Sequence, residues 1–524
     1  MLISAESIPA DQEILADICI IGAGAAGITL ALGLAGSALR VLVLEAGGED
    51  FDAEVQDAYR GGQQGLAYHD LDVARLRYFG GSTNHWGGYC IPWQPLDFEV
   101  RPGIPLSGWP LSAEEVFPYY ARAQEIAGLD GLGFSPADWM GPAAGLLDGT
   151  LRPSICLRTA GRLFALNHGP ALRAAGNVTV LLRADVLELV ATERADHVER
   201  VRVAAPGGGR FTVRAGTVVL ATGGIENARL LLLSDGVRRD GLGNAHGWVG
   251  RCFMDHVALE AGRFLPSRPL PAGLCTDFSG PDGVEVRPLL EVSADRRRDE
   301  GLPRALVAIR AEGARGHASR GVKALRTLAR QVRSGDLPDN LWHHLGQVLG
   351  DIDAVGALAL ERVLGPVATA HADAALEPAT VDMFLELVPN PASRITLSEE
   401  RDALGRRRAS LDWRLSELDR HTVRRTLEIV GAELGRLGLG RLAPVPLEEE
   451  WAGTVTGSFH HMGTTRMAAE PRWGVVDRDC RVHGIDNLYI AGSSVFATGG
   501  SGTPTLFLTA LAARLADHLK EQRA

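Results

Sequence analysis

Ile18-Cys19-Ile20-Ile21-Gly22-Ala23-Gly24-Ala25-Ala26-Gly27 is the stretch on which the fold turns. Its glycines give the spacing G-x-G-x-x-G. Asp17–Ile21 reads as a short apolar strand, Ala25–Leu34 has helical spacing, and Val41–Leu44 reads as a second buried strand ending in Glu45. That is a βαβ unit with an acidic residue closing its second strand, the context a dinucleotide fingerprint requires. The glycines permit a tight turn and close approach of backbone to a pyrophosphate, whose charge meets the helix N-terminus. Glu45 is expected to accept hydrogen bonds from ribose hydroxyls. A turn that merely opens a core helix needs no acid at that place.

Outward from this unit the chain runs to 524 residues, 46% hydrophobic and 22% charged, enough to bury a large interior in two to four domains. The formal net charge of −11 argues against a nucleic-acid surface. Arg406-Arg407-Arg408 reads as a set of solvated hairpin residues. The six cysteines are scattered, with no C-x-x-C pair, so neither zinc nor an iron–sulfur cluster is expected, and they read as buried thiols of a reducing compartment. Ile18–Leu39 carries no charge, but its glycines and the acids before it argue against a membrane span or signal peptide. The expectation is a cytoplasmic protein with no metal, no membrane span and no nucleic-acid partner.

Further along, Gly80-Gly81-Ser82-Thr83-Asn84-His85-Trp86-Gly87-Gly88 is too glycine-rich for a helix or strand interior. Ser112-Ala113-Glu114-Glu115 has the form of a capping box. Strand signals follow at Val178–Leu182, Val186–Val190, Val198–Val203 and Arg210–Val213, then Val218–Gly224 reads as a buried strand ending in a glycine turn. Met383–Val388 reads as a strand, and Arg394–Leu397 is expected to pair across a turn with Ala409–Trp413. Residues 315–375 look helical and suggest an insertion or lid. A strand at Leu488–Ala491 and a helix from about Pro504 close the chain.

The combined motifs resemble the glucose–methanol–choline (GMC) oxidoreductase family nearly end to end. They are the fingerprint with Glu45, the Gly80–Gly88 loop, Ala221–Gly224 with Arg229, His460-His461-Met462-Gly463-Thr464-Thr465-Arg466-Met467, and Val475–Leu519. Ser107-Gly108-Trp109-Pro110 before Tyr119-Tyr120 is similar to the bacterial pyranose oxidase and sugar dehydrogenase branch. The resemblance implies FAD and an α/β (α+β overall) fold: a Rossmann-like FAD-binding domain with a second substrate domain built on an antiparallel sheet. Residues 1–100, 177–255 and 456–524 are assigned to the first, and 101–176 and 256–455 to the second. For the cofactor it implies Gly22, Gly24, Ala26, Gly27, Glu45 and Ala46 in the first unit. Gly80, Gly81, Ser82, Asn84, His85, Trp86 and Gly87 follow in the loop. Val186, Ala221, Thr222 and Gly223 supply the middle turns, and Gly492, Ser493, Thr503, Pro504 and Thr505 the C-terminal ones. His85 takes the position of a covalent histidyl link in related enzymes; a link and simple packing beside the flavin both remain open.

Alcohol oxidation needs a base for the hydroxyl proton and an acceptor for hydride. The resemblance places the base at His460. His461 faces the other way if the segment is extended, so one of the two is structural. The family's second catalytic Asn or His falls at Thr503, a departure, since threonine exchanges hydrogen bonds but is no base at neutral pH. Pro504 suits the first position of a helix whose N-terminus favours a reduced, negatively charged flavin. The expected activity is oxidation of a secondary alcohol of a sugar, glycoside or polyol, with oxygen or a quinone or cytochrome as acceptor. A non-sugar alcohol such as a steroid, a flavin lyase or natural-product tailoring enzyme, and a non-enzymatic flavin-binding module are the alternatives. Oligomeric state is left open.

Overall fold

The computed structural model describes residues 1–147, 149–159, 163–280, 284–311, 378–446, 455–500 and 502–523. The helical reading of 315–375 therefore lies outside the described residues.

The fingerprint's first strand is longer than its apolar core, spanning Glu13–Ile21. Its outer half is partly exposed, whereas Ile18–Ile21 pairs in parallel with Val41–Leu44 on one side and Thr217–Leu220 on the other. Val218–Leu220 pairs in turn with Leu488–Ile490, again in parallel. Strands buried on both faces are continuous apolar runs, which is what these sequences are. The register aligns the carboxyl ends Ile21, Leu44, Leu220 and Ile490 along one edge, although residues 21 and 490 are far apart in the chain. Val178–Leu182 extends the sheet beside Val41–Leu44, and the antiparallel strands Asp185–Ala191 and Val198–Ala204 complete its other flank.

The helix Ala25–Leu34 is buried along most of its length and packs against the terminal helix Pro504–Glu521. A Cβ at Gly33 would lie 2.6 Å from that of Ala516, so this crossing is only as close as glycine permits.

A second, antiparallel sheet is built from Leu151–Arg158, His256–Pro266, Glu285–Val292, Ala305–Ala311 and Ala379–Glu386, with Tyr89–Cys90 and Thr456–Gly457 added at its margins. Tyr89–Cys90, which lies within the stretch 1–100 assigned from the sequence to the first domain, thus joins the second sheet. The helix Glu417–Arg436, opened by a capping box at Ser416 and Asp419, packs against this sheet. The Ser112–Glu115 capping box is formed as well.

The expected hairpin pairs Arg394 with Asp412 and Leu397 with Ala409, and Gly62–Gly65 adds a parallel strand to it. Two of the three arginines at 406–408 are not solvated as expected. Arg406 is buried, with Nε on Asp402 at 2.9 Å and Nη1 on Asp185 at 2.7 Å; Asp185 also receives Arg77. Arg408 pairs with Asp57. A local run of like charge hides acids that arrive from distant segments.

All six cysteines are buried and unpaired. Among the described residues no helix is long and apolar enough to cross a membrane, and no group of three or more His, Cys, Asp or Glu could hold a metal ion.

Candidate active site

The aligned strand ends open into one cavity of about 1010 Å³ that also reaches the face of the second sheet. Gly22, Gly24, Ala26, Glu45 and Ala46 line its floor. Gly22 takes φ +103°, and a Cβ on Gly27 would lie 1.9 Å from the Gly22 carbonyl oxygen. Gly27 therefore stands behind the wall and lets the helix approach the turn. Gly24 has open space where its Cβ would be, so nothing in the protein requires glycine there and a ligand can approach its backbone. The buried Glu45 carboxylate accepts the N–H groups of Ala23 at 2.8 Å and Gly47 at 2.9 Å. Those bonds aim it into the cavity with a lone pair of each oxygen free for ribose hydroxyls.

Gly81, Ser82, His85, Trp86 and Gly87 form one side of the cavity. Gly80 and Asn84 do not line it: Gly80, at φ +94°, donates to the Ala23 carbonyl at 2.9 Å, and Asn84 Nδ2 donates to the Phe79 carbonyl at 2.8 Å. They shape the loop. Val186, Ala221, Thr222 and Gly223 line the cavity from the middle segment, as do Gly492 and Ser493 from the C-terminal one. Thr503, Pro504 and Thr505 complete it. Three helices begin here, at Gly24, Thr222 and Thr503, and none has a side-chain hydrogen bond capping its N-terminus. Uncapped amides converging on one cavity suit the anionic and polar parts of a dinucleotide. The residues present thus fit FAD.

At the opposite wall, Met254 and Met462 form an antiparallel bridge, with mutual bonds of 3.0 and 2.9 Å. This register sets His256 across from His460, two residues away on each side. Asp255, fully buried, fixes the geometry: Oδ1 accepts the N–H groups of His256 at 2.6 Å and His460 at 2.9 Å, and Oδ2 accepts Ser458 N–H at 3.1 Å and the Tyr68 hydroxyl.

The two imidazoles then determine each other's protons. His256 Nε2 lies 2.7 Å from the Gly500 carbonyl oxygen, which can only accept, so Nε2 carries the proton and Nδ1 is bare. His256 Nδ1 lies 2.9 Å from His460 Nδ1, so His460 donates and its own Nε2 is the bare nitrogen. His460 lines the cavity. Burial drives the pKa of His460 well below the usual value and lowers that of His256, so both are neutral at neutral pH. His460 is thus held in the tautomer whose Nε2 can accept a proton. His256 was not among the sequence-derived candidates; the available signal is Asp255-His256 at the end of an apolar run, which has no meaning until the strand register is known.

His461 points away from this pair, as alternation requires, with its ring 5.9 Å from those of Tyr68 and Phe253. Burial pushes its pKa down to about 3, and its Nε2 is buried without a partner at the edge of the cavity. Thr503 Oγ1 donates to the Tyr89 carbonyl at 2.5 Å. Its proton is committed to the backbone, which leaves the hydroxyl able only to accept from a substrate.

Residues 389–512 match the family described as GMC oxidoreductase. The chain is 24% identical to 2-methyl-1,2-propanediol dehydrogenase of Mycolicibacterium austroafricanum, over 98% of this chain and 96% of that protein. Among solved structures it is similar to pyridoxine 4-oxidase of Mesorbium loti, with a TM-score of 0.58 and 21% identity over 96% of this chain and 99% of the other. It is also similar to Aspergillus oryzae formate oxidase, whose structure addresses FAD modification, with a TM-score of 0.54 and 18% identity over 97% and 98%. These structural likenesses establish the fold.

Proposed function

Because this chain is an oxidoreductase of the GMC family, we propose that it oxidises an alcohol, with His460 taking the hydroxyl proton. Bound FAD supplies the hydride acceptor in such a reaction. The observation that carries the reading is the hydrogen-bonded run from Gly500 through His256 to His460, which leaves Nε2 of His460 as an acceptor on the wall of the cavity that fits the cofactor. The alcohol's O–H donates to that nitrogen, and the proton transferred there makes an imidazolium that Nδ1–H still shares with His256. Asp255 holds the backbone of both histidines and so keeps their separation constant. Similarity to a diol dehydrogenase supports an alcohol as the substrate.

Anaerobic mixing of the flavin-loaded protein with a panel of alcohols tests the proposal by flavin absorbance. The flavin bleaches with at least one alcohol, and His460→Ala slows bleaching by about 10²- to 10⁴-fold, the usual worth of a general base. Bleaching by no alcohol, or an undiminished rate in the variant, refutes it. A flavin lyase would turn over with no net bleaching, so the same titration separates the two. His85 is exposed on the cavity wall. Acid precipitation decides its role: yellow retained by the protein marks a covalent link, and yellow in the supernatant marks packing alone.

A further inference from the structure

The second sheet presents the cavity with a wall graded in polarity. At the catalytic end His256 stands opposite Glu386. On the next rung Phe384 lies between Ala258 and Leu306, and on the one after, Asp382 lies between Glu260 and Ala308. The Phe384 ring is 6.0 Å from that of His256 and 6.3 Å from that of His460. Leu306, Ala308, Leu289, Cys156 and Ile91 form one buried cluster against which Phe384 and Tyr89 pack. The carbonyl of Tyr89 holds the Thr503 hydroxyl, so this apolar belt runs from the catalytic histidine to the start of the terminal helix. Charge returns only beyond the belt, and there it is paired: Arg310 with Asp382, and Arg287 with Asp277 at 2.9 Å.

We propose that the alcohol oxidised carries an apolar ring or branched chain directly on its carbinol carbon, not the hydroxylated ring of a sugar. The inference rests on His460 as the base. To reach His460 Nε2 the hydroxyl must enter far enough to lay its nearest substituents against Phe384, Leu306 and Leu289. An aryl or branched alkyl group there trades water for carbon contacts. A sugar's ring hydroxyls would be dehydrated against side chains that neither donate nor accept, a loss of roughly tenfold in affinity for each one left unpaired. The rim pairs satisfy each other and demand no charge of the substrate.

The flavin-loaded enzyme is mixed anaerobically with benzyl alcohol and 4-methoxybenzyl alcohol on one side, and D-glucose, D-fructose and glycerol on the other. The aryl alcohols bleach the flavin with half-saturation at least about tenfold below that of any of the polyols. 2-Phenyl-2-propanol, which has no carbinol hydrogen to give up, perturbs the flavin spectrum without bleaching it, so binding is read apart from turnover. Leu289→Asn, and the milder Ala308→Ser should the first fold poorly, narrow the preference for aryl alcohols. Bleaching by a polyol at equal or lower half-saturation overturns the substrate class while leaving alcohol oxidation intact. An unchanged preference in both variants, or no spectral change with the tertiary alcohol, overturns the belt as the binding surface. Bleaching by none of the probes overturns alcohol oxidation and the class with it.

Discussion

His256→Leu removes the middle of the run that sets the tautomer of His460. The imidazole is 1% exposed and makes hydrogen bonds of 2.9 Å to His460 Nδ1 and 2.7 Å to the Gly500 carbonyl. Leucine leaves the Nδ1–H of His460 unmet in a dry site, at about 1–3 kcal/mol for such a group. That penalty falls only on the tautomer with a bare Nε2, because the other tautomer turns its N–H toward the cavity. The base-competent form, and with it the rate constant for flavin reduction, drops by about 5- to 150-fold at one decade per 1.36 kcal/mol. Half-saturation by the alcohol changes less, since leucine removes no substrate contact. Glutamine at 256 can accept through its carbonyl and donate through its amide, and it recovers most of the loss. The assay is anaerobic stopped-flow reduction at saturating alcohol, with flavin loading and thermal unfolding measured on each variant. Imidazole ¹⁵N shifts of His460 report the tautomer without turnover. A folded, flavin-loaded leucine variant that reduces at the wild-type rate, or a glutamine variant no better than leucine, refutes the reasoning.

Gly27→Ala places a methyl group against the Gly22 carbonyl, 1.9 Å away before any relaxation, and lowers the unfolding midpoint of the apoprotein; Gly24→Ala meets nothing within 4 Å and weakens only FAD binding. Calorimetry of both apoproteins with and without added FAD separates these outcomes, and equal loss of stability in the two would count against the turn described. Thr503→Val removes the bond to the Tyr89 carbonyl, destabilises by about 0.5–1.5 kcal/mol, and slows flavin reduction less than about tenfold, because the hydroxyl is turned to backbone; a loss of a hundredfold or more would make it part of the proton-transfer machinery. Acid lowers stability from pH 6.5 downward. His256, His460 and His461 have folded pKa values depressed chiefly by burial, so the unfolded chain binds protons that the folded one refuses. The slope approaches at most about 4 kcal/mol per pH unit if all three refuse. Asp419, whose carboxyl burial raises to about 6, works the other way below that pH, so urea titrations of wild type and Asp419→Asn from pH 7.5 to 5 measure the slope, and a flat profile in the variant would show that the histidines take up protons while folded.

The βαβ unit was legible because its signals are local. Three glycines, an apolar run on each side and Glu45 sit within thirty residues, and each can be read from backbone conformation or burial. His460 and His461 were likewise correctly sorted into two faces by strand alternation alone. Arg406 was misread for the opposite reason: its partners Asp402 and Asp185 come from a turn and from another sheet, and Asp185 is 221 residues away. Asn84, Gly80 and Gly27 shape the turns around the cavity without lining it, a distinction that spacing does not carry.

By itself the sequence determined that a glycine turn joins a buried strand to a helix, where it lies, and that His460 and His461 face opposite ways. Such features depend on φ preferences and side-chain alternation, which act over a few residues. Only the tertiary structure decided what those histidines can do. The bridge between Met254 and Met462 brings His256 opposite His460, and the carbonyl of Gly500, 244 residues from His256, assigns the protons. A tautomer is fixed by the partner at the far nitrogen, and that partner is chosen by the register of strands distant in the chain. The apolar belt above them has the same origin, because it gathers residues from five strands and a loop that meet only when the second sheet forms.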